Sequence, residues 1–120
     1  MTTFKYTPKQ ARKLWCESLR SGKYQQCRGK MTDGVRHCCL DIARVAFIEA
    51  EGREPERVRY ATNKNLTKFP EVRIWLGLKT NIGRYNAYSL ARDNDEGKTF
   101  DEIAAIIESE PPGLFKEVRA

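Results

Sequence analysis

An α+β domain is the fold class this sequence predicts: a small antiparallel β-sheet, made of a hairpin plus a short strand, packed against about four helices. Three observations predict it. Several stretches repeat apolar residues at helical spacing between capping residues. Two others, within 23–39 and 58–62, alternate in the manner of strands. The 120 residues are 40% hydrophobic and 32% charged, which suits one folded domain over 1–120 rather than a disordered chain or two cores.

The elements follow in chain order. Thr7-Pro8 opens the first helix, since Thr accepts from an unpaired amide and Pro fits the first helical position. Ala11, Leu14, Trp15 and Leu19 form its apolar stripe, Lys9, Arg12, Lys13 and Arg20 its polar face, and Ser21-Gly22 its end. A hairpin is expected from Tyr24–Cys27 and Val35–Cys38 around Thr32-Asp33-Gly34. The second helix begins at Cys39 or Leu40 and ends at Glu51-Gly52; its wide apolar face predicts a central position. After a polar loop, Val58, Tyr60 and Thr62 read as a short strand. Pro70 starts a short helix with Val72, Trp75 and Leu76 inward and Gly77 as its stop. Asn81, Gly83 and Asn86 mark turns, and Tyr88 to Arg92 reads as a brief helix ending at Asp93. Thr99 and Glu102 form a capping box for a last helix, which Pro111-Pro112 closes. Trp15, Leu19, Leu40, Phe47, Trp75, Leu76, Ile103 and Ile107 are the expected core.

The net charge of +6 is unevenly spread. The first thirty residues hold eight cations against Glu17, a local excess of +7, and the rest of the chain sums to −1. Such a field attracts phosphates and acidic surfaces. Arg20, Lys23, Tyr24, Gln26, Arg28 and Lys30, bordered by Arg57 and Arg59 if the short strand joins the hairpin, are the candidate ligand-binding residues, because cations meet phosphates and an aromatic ring stacks on a base. The alternative is an exposed hairpin edge that Lys and Arg keep from aggregating.

Other chemistries fit less well. Cys16, Cys27, Cys38 and Cys39 lack the paired Cys-x2-4-Cys spacing of a zinc site, and adjacent cysteines on a strand point to opposite faces. Cys39 at a helix start has the setting of a nucleophile, but His37, the one histidine, is too close in sequence to serve as its base. Counting an EF-hand loop from Asp93 puts Lys98 and Ala104 where Gly and Glu are needed; Asp95, Asp101 and Glu102 suit a turn and a helix start instead. No catalytic residue, metal or cofactor is therefore expected. No apolar run approaches the roughly 18 residues of a membrane helix, and the start lacks a signal core, so reduced thiols in a cytoplasm are expected.

Three segments carry a resemblance over residues 15–108: Leu19-Arg20-Ser21-Gly22-Lys23-Tyr24 with Gln26 and Cys38-Cys39-Leu40; Phe69-Pro70-Glu71-Val72 through Trp75-Leu76-Gly77-Leu78; and Asn94-Asp95-Glu96-Gly97 through Phe100, Ile103-Ala104 and Ile107-Glu108. Together they resemble a family of small bacteriophage and prophage proteins reading LRSGKYxQ, CCLGV, LPxxVxxWLGL and NDxGxxFxxIAxxIE. Asp41-Ile42 stands here in place of that family's Gly-Val. The resemblance implies a setting, the cytoplasm of a bacterial host, rather than a reaction. The resulting expectation is a phage accessory protein that binds without catalysing, its ligand a phosphate-bearing molecule such as a nucleotide signal of host defence. Nucleic-acid binding, inhibition of a host protein and, last, a cysteine-dependent enzyme are the alternatives; self-association into a homo-oligomer is left open.

Overall fold

The computed structural model describes residues 3–61 and 65–116. Helix α1 (Pro8–Arg20) starts in a capping box: Gln10 N–H donates to Thr7 Oγ1 and the Gln10 side chain accepts from Thr7 N–H. Helix α2 (Cys39–Glu51) ends at Gly52 in the left-handed conformation, which lets the cap amide reach Ile48 O. A short 3-10 turn (Leu66–Lys68) leads into α3 (Pro70–Leu76), stopped by Gly77 at φ 70°. Strands β1 (Arg84–Tyr85) and β2 (Tyr88–Ser89) pair antiparallel, Arg84 with Ser89 and Tyr85 with Tyr88. Helix α4 (Leu90–Asp95) follows directly, capped by Ser89, and α5 (Phe100–Ser109) opens on the Thr99–Glu102 capping box read from the sequence.

Helix α1 packs on α5, α2 and α3, and α2 also meets α3 and α4. All eight expected core residues are buried, within a cluster that also takes in Met31, Leu66, Leu78, Leu90 and Leu114. Two indoles pin it: Trp15 Nε1–H donates to Cys39 O at 2.9 Å, and Trp75 Nε1–H to the buried Glu51 at 3.2 Å. The segment after α5 folds back so that Phe115 bridges Leu78, with Lys79 N–H donating to Leu114 O and Lys116 N–H to Gly77 O.

The α+β class holds, but the strands lie elsewhere than expected. Residues 23–39 form no regular hairpin. Gly29 (φ 80°) and Gly34 (φ 95°) each turn the chain, so Gln26 bridges His37 in parallel while Thr32 bridges the same residue antiparallel. The expected turn at Thr32-Asp33-Gly34 does form, with Asp33 accepting from the amides of Val35 and Arg36. Nor is there a strand at 58–61: Val58 N–H reaches Lys68 O, then the chain turns, leaving Tyr60 92% exposed; Thr62 lies outside the described residues. The observed hairpin uses Asn86 at φ 53°, a left-handed turn position that Asn tolerates. Tyr88 is a strand residue, and the following helix begins at Leu90 and runs to Asp95.

Candidate anion-binding site

The eight residues singled out from the sequence do not share one concavity. Arg20 ends α1 in an ion pair with Glu108 at 2.5 Å. Lys23 and Tyr24 line a pocket of about 330 Å³ with Glu17 and Glu49, and Tyr24 O–H donates to Glu49 at 3.0 Å. Gln26 is a structural residue: its Nε2 donates to Asn94 Oδ1 at 2.7 Å and Lys98 O at 2.8 Å. Arg28 and Lys30 are exposed on the loop whose Gly29 amide donates to Asp95. Arg57 joins Arg44, Lys68 and Asp41 in a pocket of about 290 Å³, where both guanidinium carbons lie 5.7 Å from the Phe69 ring centre. Arg59 lies over the exposed Tyr60 ring at 5.9 Å.

The thiols are poorly placed for nucleophilic work. All four are free and buried. Burial pushes Cys16 and Cys38 up to about 12 and raises Cys27 and Cys39 as well, the reverse of an activated thiolate. His37 Nδ1 is held 2.5 Å from Asp41, a carboxylate that also takes Arg44 Nε–H at 2.7 Å. Asp93 accepts from Tyr85 O–H, and Glu102 serves its cap. Among the described residues, no cluster of three or more His, Cys, Asp or Glu side chains could hold a metal ion.

Cations do converge at the opposite end of α1. A cleft of about 820 Å³ lies between the start of α1 and the folded-back segment, bounded by Lys9, Arg12, Lys79, Glu110, Phe115 and Lys116. Arg12 is its floor and exposes only 9% of its surface. Its Nε–H donates to Leu76 O at 2.8 Å, its Nη1 meets Glu110 Oε1 at 3.2 Å, and its guanidinium carbon lies 3.7 Å from the Phe115 ring centre. Nη2 is buried and has no hydrogen-bond partner among the described residues. Burial lowers the Arg12 pKa and Glu110 opposes that shift; the group stays cationic because guanidinium holds its proton strongly. A polar group buried with an open donor costs stability, so it marks a place where a partner would be favourable.

Local sequence puts Arg12 there. It shares an i, i+4 row with Pro8 and Cys16, beside the Ala11–Trp15–Leu19 row, so α1 turns it toward α3 instead of onto the outer polar face. Gly77 makes the room: a Cβ there would come within 2.7 Å of Nη2. By sequence alone Arg12 groups with Lys9, Lys13 and Arg20 on the polar face of α1. Its row was the one local signal to the contrary; Gly77 and Phe115 reach it only through the fold.

The fold and cleft define an α+β domain with a basic, partly buried cleft. The chain belongs to the family of the domain of unknown function (DUF8296), which matches residues 8–111. No curated protein and no solved structure matches it. No helix among the described residues is long and apolar enough to cross a membrane.

Proposed function

We propose that the protein binds a phosphate-bearing ligand in the Arg12 cleft without transforming it. The observation that carries this reading is the buried Arg12 guanidinium at the floor of a cavity whose rim adds three lysines. Charge-assisted hydrogen bonds to phosphate are stronger than neutral ones, and stronger still away from bulk water. The cavity volume, about 820 Å³, falls in the range of small-molecule sites. The resemblance to phage and prophage proteins supports a nucleotide signal of host defence as the ligand and the bacterial cytoplasm as the place of action.

One observation favours a second reading, single-stranded nucleic acid: Tyr60, 92% exposed, offers a stacking ring beside Arg59. Salt dependence separates the two, since a phosphate backbone releases many counterions and a small ligand few.

The test is calorimetric titration with inorganic pyrophosphate, alongside mass spectrometry of what the purified protein releases on denaturation. Lys79→Glu with Lys116→Glu, both exposed, should weaken pyrophosphate binding at least about tenfold, the equivalent of ~1.4 kcal/mol. Arg28→Glu with Lys30→Glu should leave it unchanged. Equal affinity in the Lys79/Lys116 variant, or no binding by the parent protein, removes the cleft from consideration.

A further inference from the structure

We infer that Glu110 is the specificity-determining gate of the Arg12 cleft: its carboxylate is the resident counter-ion of Arg12, and the ligand is a polyanion of the phosphate class that displaces it. This rests on the anion-binding reading above and adds the class of anion admitted.

Three observations carry the inference. First, the pair is loosely made. Arg20, Arg44, Arg53 and Arg92 hold their carboxylates at 2.5 to 2.8 Å, whereas Arg12, much the most buried of these arginines, meets Glu110 at 3.2 Å through one oxygen. The Glu110 side chain is 56% exposed, so leaving Arg12 returns the carboxylate to water at little cost. Second, Arg12 is under-satisfied with Glu110 in place, because Nη2 stays open. A phosphate group offers more acceptor oxygens than that single contact uses. Third, the backbone aims Glu110 at an angular cost. It sits at φ 48°, ψ 60°, a left-handed conformation that glycine adopts freely and glutamate does not, and it precedes Pro111, which disfavours helical geometry in the residue before it. An unfavourable conformation that places an anion against the floor of a cavity is a reason to assign that anion a role.

The consequence is discrimination by charge. An intramolecular carboxylate competes at a high effective concentration, so a monoanion that offers Arg12 one similar contact gains nothing by replacing it. Pyrophosphate engages Arg12 together with Lys9, Lys79 and Lys116, which Glu110 does not do, and so prevails.

The test titrates the full chain and two variants with inorganic pyrophosphate and with acetate. The parent should bind pyrophosphate and not acetate. Glu110→Gln, which keeps shape and loses charge, should bind pyrophosphate about tenfold more tightly and acquire measurable acetate binding, because the built-in competitor is gone. Glu110→Gly, which also relaxes the backbone, should behave alike, so a folding defect in one variant does not decide the matter. Pyrophosphate affinities within about twofold of the parent in both variants overturn the gate and leave the anion site standing. Absence of pyrophosphate binding in all three proteins overturns both.

Discussion

Two regions of this domain bury polar side chains and treat them in opposite ways. Asn94 in α4 is fully buried and fully used: Oδ1 accepts from Gln26 Nε2 and from Cys39 N–H, and Nδ2 donates to Cys27 O at 2.8 Å. It accepts from the first amide of α2, Cys39 N–H, and ties the 23–38 loop to two helices. Arg12 is nearly as buried but keeps one nitrogen unpaired and meets its carboxylate through a single contact at 3.2 Å. A closed hydrogen-bond set holds a fold together; an open one invites something in. Gln26, Cys39, Asn94 and Trp75, which lie in the segments singled out from the sequence, serve the first purpose.

The contrast can be broken at either end. Asn94→Ala leaves the Cys39 amide and the Cys27 carbonyl without that partner, and should cost about 3 kcal/mol of stability, the sum of more than one stranded buried group. A urea titration measures it, and a loss below about 0.5 kcal/mol would show the knot to be dispensable. Gly77→Ala should cost about 2 kcal/mol, since an L-residue resists the left-handed cap and its methyl meets Arg12 Nη2. It should also weaken pyrophosphate binding, whereas Asn94→Ala in its folded fraction should not; equal binding losses in both would erase the distinction between the regions. A further effect appears only in alkali. Cys38, beside the knot, is held neutral up to about 12, above the ordinary thiol range near about 8.5. Its contribution is intact below that ordinary value and is lost as pH rises through the folded value, because only the unfolded chain ionises between them. Cys38→Ala should therefore flatten the fall of stability between pH 9 and about 12; an unchanged slope would show that this thiol ionises alike in both states.

Much of the helical frame was legible in the sequence because its signals are local. Thr7-Pro8, Pro70 with Gly77, and Thr99 with Glu102 mark helix ends with groups a few residues apart, and the eight expected core residues follow from spacing alone. Residues 23–38 were not legible, since their partners are distant: Gln26 bonds to Asn94 and Lys98, and Gly29 to Asp95. Alternation suggested strands, yet Cys27 and Met31 are buried by turns at glycine instead. The eight expected ligand-binding residues are dispersed for a related reason. Cation counts found the basic end of the chain but not which cation the fold would bury, a matter decided by Gly77, Leu76 and Phe115.

The Phe115–Leu78 bridge fastens one side of the cleft. One wall of the cleft is held to the 77–79 backbone by two hydrogen bonds and the burial of Leu114, in the short segment that follows α5. So few contacts reopen at low cost. The amides of Lys79 and Lys116 should thus exchange with solvent deuterium well before those within α2. An occupant bridging Arg12 to Lys116 would hold that wall shut, making the tail's exchange rate a direct gauge of how full the cleft is.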